Sequence, residues 1–485
     1  MPEQTSEHAA AAHDYRRRRI AHWDDIAQTL RQRGRPWAQG YRRELAREIR
    51  HLVSPGKRIL ELGSGAGDLL AALEPSEGVG IDLSTEMVAL ARERHPDLRF
   101  VQGDAATAEV AGTFDVLILS DLVNDVHDVQ ALLEHARRWC HRGTRLIVNL
   151  HSHLWRPLLS CARASGLAMP QLPQNWLTVQ DASHLLFLTD YEVIRSWQAI
   201  LVPLRVPLLS RFCNRYLARI WPFRYGCLTN VVLARPSPRP EAMPESPSVS
   251  VIVPARNEAG NIAHILDRVP EMGSRTEIVF VEGGSTDDTY DTIQREIERR
   301  GIGDRCRLYR QPGKGKGDAV RLGFAEATGD ILMILDADLT VPPEDLPRFY
   351  EAVRSGRAEF ANGVRLVYPM EERAMRFLNL IGNKFFSVAF SWLLGQPVKD
   401  TLCGTKALWK TDYETIAKNR NAFGDFDPFG DFDLIFGAVK QNLRIVDIPV
   451  RYRQRTYGDT NISRWKHGFM LLRMVLFAAR RIKFV

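Results

Sequence analysis

Five prolines fall within fourteen residues at positions 235–248, Arg-Pro-Ser-Pro-Arg-Pro-Glu-Ala-Met-Pro-Glu-Ser-Pro-Ser. Each proline lacks a backbone N–H and fixes φ, so such a run neither continues a helix nor sits inside a sheet. Its composition is that of a stiff, exposed spacer. The spacer divides 485 residues close to the middle, and at 45% hydrophobic content each half holds enough apolar material for its own core. Two folded domains are therefore expected, residues 1–236 and 249–485, joined by a linker at 237–248.

In the second half, residues 331–340, Ile-Leu-Met-Ile-Leu-Asp-Ala-Asp-Leu-Thr, read as a buried strand that ends in two carboxylates, Asp336 and Asp338. Residues two apart on a strand share a face, so both acids can address one hard divalent cation that holds a diphosphate through oxygen contacts. An isolated Asp-x-Asp is equally compatible with solvated loop acids, and the neighbouring motifs decide its meaning. Residues 248–253 alternate like a strand and lead into Pro254-Ala-Arg256-Asn-Glu258 and then a helical pattern at Ile265, Leu266 and Val269. A second strand at 277–281 runs into Glu282-Gly-Gly-Ser-Thr-Asp-Asp-Thr289, where glycines permit close backbone approach. Gly313-Lys-Gly-Lys316-Gly317 is a flexible basic loop or a diphosphate cradle.

With these motifs, residues 249 to about 460 resemble a family 2 glycosyltransferase of the GT-A fold, in particular its polyprenyl-phosphate sugar synthase branch. The resemblance implies a nucleotide-sugar donor bound by Pro254, Arg256, Glu258 and Glu282. It further implies Lys316 near the phosphates and Mg2+ or Mn2+ on Asp336 and Asp338. The chain departs from the family where Glu282 and Gly283 replace the usual pair of aspartates. Asp400-Thr-Leu-Cys-Gly-Thr-Lys406 resembles the segment that closes over the acceptor, and Gly430-Asp-Phe-Asp-Leu-Ile435 the acidic junction near the reaction centre. Asp400, Asp431 and Asp433 are thus candidate bases, and each also suits an N-cap or a surface carboxylate. A sugar hydroxyl needs a positioned base. A phosphate monoester, with a second pKa near 6, is already mostly a dianion at neutral pH. Arg455, Gly458 and Thr460 fit the Arg-x-x-Gly-x-Ser-Lys pattern of the lipid-phosphate enzymes. Asn461 stands where a lysine is usual, and Arg464 is a candidate replacement for its charge. Alternation of Arg451, Arg453 and Arg455 also suits an exposed strand face. No Gln-x-x-Arg-Trp motif is present, which counts against a processive polysaccharide synthase.

Residues 378–394 read as an amphipathic helix, and residues 469–479 form a short apolar run containing Arg473 and followed by Arg480, Arg481 and Lys483. Both are too short or too polar to cross a bilayer. Either packs on its domain or lies in an anionic membrane interface. The net charge of +7 suits such a surface or phosphate-rich ligands. Nothing beyond charge supports a nucleic-acid partner, and none is expected. Six cysteines without a Cys-x-x-Cys pair and an opening without a signal-peptide pattern point to the cytoplasm, with contact at the inner face of the cell membrane.

The first half carries a strand into Glu61-Leu-Gly63-Ser-Gly65-Ala-Gly67, then a helical stretch from Asp68. Asp82, ending a second strand at 78–81, can accept from ribose hydroxyls. These features alone also fit a dinucleotide-binding domain. The Glu-x-Gly-x-Gly-x-Gly spacing, with a third strand at 99–101 before Asp104 and Ala105, a fourth at 114–120 and a fifth at 145–150, resembles the class I S-adenosylmethionine-dependent methyltransferases. That resemblance implies Glu61, Gly63, Gly65 and Gly67 at the methionine end of the cofactor, Asp82 at the ribose, and Asp104 with Ala105 at the adenine. His127, His151 and His153 are candidate bases at the ligand edge of the sheet or ordinary structural histidines. The stretch 155–234 reads as the chooser of the methyl acceptor. Its Trp176, Trp197 and Trp221 suit a core more than a ligand surface, and 229–234 reads as the last strand. A helix at 13–30 is placed to cover the cofactor, with Arg16 to Arg19 as a solvated face.

The fold class expected is α/β with two Rossmann-like domains, a seven-stranded methyltransferase sheet followed by a GT-A fold. The expected function is a bifunctional transferase: metal-dependent, inverting sugar transfer to a lipid phosphate, and methyl transfer to an unidentified acceptor. The alternatives are sugar transfer to a saccharide or small-molecule hydroxyl with methylation of the same product, and a front domain that only binds cofactor or docks.

Overall fold

A computed structural model describes residues 2–33, 39–239, 243–365, 367–368, 377–419, 431–455, 457 and 464–484. It divides into two compact units, Met1–Ser237 with Phe484–Val485, and Pro238–Lys483. The first unit carries β1 (Arg58–Leu62), β2 (Glu77–Asp82), β3 (Arg99–Gln102), β4 (Phe114–Ser120), β5 (Cys140–His151), β6 (Tyr191–Ala199) and β7 (Thr229–Pro236). Their order in the sheet is β3-β2-β1-β4-β5-β7-β6, parallel except for β7, which runs antiparallel to both neighbours. The chain order reverses across β1 and β4, and the crevice at the carboxyl ends of those strands is where an open α/β sheet takes its ligand. Four of the five β1 residues are buried because helices cover both sheet faces, which is why the strand reads as a continuous apolar run. β5 begins five residues earlier than expected, since a register irregularity between Phe114 and Val116 lets Cys140 pair with β4. Sequence reading also did not anticipate β6, whose burial alternates irregularly around a register shift between Val193 and Arg195.

The second unit carries β8 (Val249–Ala255), β9 (Thr276–Glu282), β10 (Cys306–Arg310), β11 (Ile331–Ile334), β12 (Phe360–Val364), β13 (Lys406–Trp409) and β14 (Ile445–Pro449). The order is β10-β9-β8-β11-β13-β12-β14, with β13 antiparallel to β11 and β12. Side-chain alternation divides two cores between the faces. Val251, Val253, Ile331 and Met333 pack with Ile262, Ile265 and Phe349. Ile252, Leu332 and Ile334 pack with Phe324, Phe390 and Phe432. The helix Arg464–Ala478 buries Leu471, Met474 and Ala478 in that second core and leaves Phe469, Leu472 and Leu476 exposed. Among the described residues no helix is long and apolar enough to cross a membrane.

Candidate functional site

In the second unit the site forms where β8, β9 and β11 end. β8 delivers Arg256, exposed, then Asn257 at φ 56, a left-handed conformation that asparagine tolerates better than most residues. The Asn257 Oδ1 accepts the Thr286 N–H at 2.8 Å, and the Asn257 N–H donates to the Ser285 Oγ at 3.0 Å. Glu282, buried at the end of β9, accepts the Ser285 N–H at 2.5 Å. These bonds stitch the two loops into one wall. Glu258 accepts from the Asn261 side chain at 2.7 Å and lies 3.6 Å from Arg455. Burial pushes its carboxyl up to about 7, with Arg455 opposing the shift.

Asp336 and Asp338 lie just beyond β11, which stops at Ile334, so the alternation expected to bring them to one strand face does not operate. The last ladder bond runs from the Leu335 N–H to Ile252, and the Leu339 N–H then closes a turn on Asp336. Leu339 takes φ 54, a costly conformation for a leucine. Each aspartate has its own cation. Lys316 Nζ sits 2.5 Å from Asp336, and Arg455 Nη2 sits 2.7 Å from Asp338. Thr340 fixes the other oxygen of Asp338 through its N–H at 3.1 Å and its hydroxyl at 2.8 Å. Burial works against the charge of Asp336, but Lys316, Lys406 and Arg365 outweigh it and hold the carboxyl below the ordinary range. Gly404 leaves space for the pair, since a Cβ there would lie 2.1 Å from Lys316 Nζ and 2.3 Å from Asp336 Oδ2.

Asp400 is buried and forked by Arg365 at 2.7 and 2.9 Å, with the N–H groups of Leu402 and Cys403 on its Oδ1. Burial opposes its charge, yet Arg365 and these donors hold its carboxyl below the ordinary range. Asp433, buried on the helix Asp431–Lys440, meets Arg321 at 2.5 Å. Pro254 is half-buried at the end of β8. Asp431 and Arg464 open helices, but their side chains, like Gly458, Thr460 and Asn461, lie outside the described residues.

In the first unit Gly63, Gly65 and Gly67 take φ of 70, 51 and 76, which only glycine adopts freely. A Cβ on Gly67 would lie 2.5 Å from Phe100. Asp82 accepts the Gly65 N–H at 2.7 Å and the Ser84 N–H at 3.0 Å, and burial pushes its carboxyl up to about 6. Glu61, buried, accepts the Leu70 N–H at 3.1 Å, and burial raises its carboxyl well above the ordinary range. Asp104 accepts the Ala106 N–H at 2.9 Å and pairs with Arg16 at 2.6 Å. Ala105 is buried beside it. Glu61, Gly63, Gly65, Asp82, Asp104 and Ala105 all line one cavity of about 1600 Å³.

The helix Pro2–Arg33 also lines this cavity, through Tyr15, Arg16, Arg19 and Trp23. Arg16, Arg17 and Arg18 are exposed, but Arg19 departs from the solvated-face expectation: it is buried and pairs with Asp125 at 2.9 Å. Trp23 donates to the other Asp125 oxygen at 2.8 Å. Of the histidine candidates, His151 is buried 3.5 Å from Asp121, His127 meets the edge of Tyr15, and His153 tilts against Trp176. Sequence reasoning missed Tyr41 and Asp121. Tyr41 donates to Asp121 Oδ1 at 2.8 Å, and the Asn149 amide donates to the same oxygen at 2.6 Å. Asp121 takes φ 57 just past β4, and no local motif marks it. Trp221 is 71% exposed, against the core reading.

Residues 250–416 match the family Glycosyl transferase family 2, and residues 59–143 match a Methyltransferase domain. The chain thus fuses a segment of the methyltransferase-domain family to a segment of glycosyl transferase family 2. The dolichol-phosphate mannosyltransferase of Pyrococcus furiosus is 29% identical to the fusion over 220 residues, 44% of the fusion and 59% of that protein. The undecaprenyl-phosphate 4-deoxy-4-formamido-L-arabinose transferase of Edwardsiella ictaluri is 25% identical over 230 residues, 46% of the fusion and 64% of that protein. The fusion thus spans less than two thirds of either relative's length. A TehB-like S-adenosylmethionine-dependent methyltransferase from Corynebacterium glutamicum superposes with a TM-score of 0.30 at 15% identity, covering 45% of the fusion and 99% of that chain. Arg455, Asp433, Tyr41 and His151 all lie outside the matched residues of the fusion.

Proposed function

We propose that the fusion transfers a sugar, with inversion, from a nucleotide-sugar donor to a polyprenyl phosphate, and a methyl group from S-adenosylmethionine to a second acceptor. The observation that carries the choice of a phosphate acceptor is the pairing of Asp400 with Arg365 and of Asp433 with Arg321. Carboxylates bound to arginines are weak bases, and a phosphate dianion needs none. The names of the two curated relatives support the same acceptor class.

Asp336 and Asp338 fit a hard divalent cation. Their charges are balanced by Lys316 and Arg455, and among the described residues no group of three or more metal-ligating side chains occurs. Mg2+ is commonly held by one or two carboxylates and completed by substrate phosphates. Bound there, Mg2+ or Mn2+ would neutralise charge on the leaving nucleoside diphosphate. Pro254, Arg256, Glu258 and Glu282 form the nucleotide wall, Lys316 addresses the diphosphate, and Arg455 orients the acceptor phosphate for in-line attack. Asp400 and Asp433 then act as positioning residues through their arginines. Asp431 and Arg464 stay candidates on sequence grounds. In the front domain Glu61, Gly63, Gly65, Asp82, Asp104 and Ala105 hold the methyl donor, and Gly67 turns the chain into the following helix against Phe100. Phe469, Leu472 and Leu476, exposed near Arg473, Arg480 and Arg481, form a peripheral contact with the inner face of the membrane.

The test supplies the protein with Mg2+ or Mn2+, radiolabelled nucleotide sugars and a membrane lipid extract, then partitions products between organic solvent and water. Label in the organic phase that mild acid releases supports a lipid-phosphate sugar. Label confined to water assigns a hydroxyl acceptor instead. Asp338→Ala should abolish transfer and preserve S-adenosylhomocysteine binding by calorimetry, and full turnover in that variant would remove the metal assignment.

A further inference from the structure

Residues 201–226 turn many of their large apolar side chains outward and hold polar anchors inward. The stretch contains five arginines and no acidic residue. Asn214, buried, accepts the Val202 N–H at 2.8 Å and donates to the Val202 carbonyl at 2.9 Å. Ser210, also buried, accepts the Val206 N–H at 2.9 Å and donates to the Leu204 carbonyl at 2.5 Å. Arg219 is buried against Glu48. The segment is therefore tied down from beneath, and the exposure above it is built in. Leu208 is 86% exposed and Phe212 53%, with Leu204, Ile220 and Phe223 exposed as well. Leu208 holds its position at φ 63, a strained backbone for a leucine. Exposed apolar residues on an ordinary surface are scattered singly. Here they share one segment with the exposed Arg205 and Arg211.

The same segment enters the cofactor cavity. Leu201, Leu204 and Arg205 line it together with Leu158 and Leu167, while Glu61 and Asp82 line it on behalf of the donor. At about 1600 Å³ the cavity exceeds the roughly 300–1000 Å³ of a single small-molecule site, so an apolar compartment adjoins the donor compartment. Leucine and aromatic side chains beside Arg205 and Arg211, with Arg43 and Arg47 outnumbering Glu44 in the adjoining groove, are the chemistry of a segment that lies in a bilayer interface and meets anionic headgroups.

We propose that residues 201–226 seat the methyltransferase domain on an anionic lipid surface, and that its methyl acceptor is an amphipathic molecule reached from that surface. The docking does not rest on the sugar-transfer reading. The acceptor class rests on the methyltransferase reading.

The test co-sediments the full-length protein with vesicles of phosphatidylcholine, with and without phosphatidylglycerol. Binding should require phosphatidylglycerol and weaken with salt. Leu208→Asp with Phe212→Asp should lower vesicle affinity by about tenfold or more, with unchanged S-adenosylhomocysteine affinity showing that the domain is folded. Trp221→Asp probes the same face independently should the double variant fail to fold. Parental vesicle affinity in these variants overturns the docking. So does loss of binding only on Phe469→Asp with Leu476→Asp, which would leave the C-terminal helix as the sole membrane contact. A change confined to self-association in sedimentation velocity would assign the face to a second copy of the chain and also overturn it. With methyl-labelled S-adenosylmethionine and a lipid extract, solvent-extractable label supports the amphipathic acceptor, and purely aqueous label removes it.

Discussion

One methyl group at position 404 would disturb the pairing of Lys316 with Asp336. The Cβ of Gly404→Ala has to displace either Lys316 or Asp336, both within 2.4 Å of where it would sit, as 2.1 and 2.3 Å distances show. Misplacement of reacting groups by about 1 Å can cost a factor of about 100. Sugar transfer by this variant should fall by that order while S-adenosylhomocysteine binding is untouched, and parental turnover would put the pair away from the reacting centre. Glu258 offers a pH-dependent check. Its carboxyl lies near 7 in the folded chain against an ordinary 4.5, raised by burial and opposed by Arg455. The native state then binds the proton more tightly than the unfolded chain, so stability is lost as pH rises from 4.5 through about 7. Glu258→Gln removes that loss. Its melting temperature relative to the parent should climb across the window and level off above it, and a pH-independent difference would count against a buried, reluctant carboxylate. Sequence motifs picked out Glu258, Lys316, Asp336, Asp338 and Arg455 one by one. Their pairing was not legible, because Arg455 and Asp338 are 117 positions apart.

At the scale of elements, the first helix does the least predictable work. Its periodicity is visible in sequence, but its role depends on Arg19, Trp23 and Asp125 meeting over the cofactor cavity. Deleting residues 1–33 should weaken S-adenosylmethionine binding by about tenfold or more, on the scale of one lost buried ion pair, and leave sugar transfer at parental rate. Unchanged cofactor affinity would make the helix a bystander. Strands flanking the ligand crevice were legible because helices bury both their faces and the residues are correspondingly apolar. β6 was not, since a half-buried strand with a register shift shows no clean alternation. The end of β11 was also misjudged, as Leu335 continues the apolar pattern after the strand has stopped.

At the scale of the whole molecule, each unit has its own sheet and cores. Calorimetry should resolve two unfolding transitions. Saturating S-adenosylhomocysteine should raise one of them, by about 2.7 kcal/mol at one hundred times its dissociation constant, and a nucleoside diphosphate with Mg2+ the other. A single transition moved by both ligands would mean that the units unfold as one. The sequence alone determined the class of each unit and marked out residues that gather at the strand ends, because glycine turns, strand-end acids and a proline spacer are local features that leave local marks. The tertiary structure decided which charges neutralise each other, where the first helix lies, and that Leu204, Leu208 and Phe212 face outward. Those outcomes depend on distant segments competing for the same partners and the same buried volume, and no window of sequence contains both competitors.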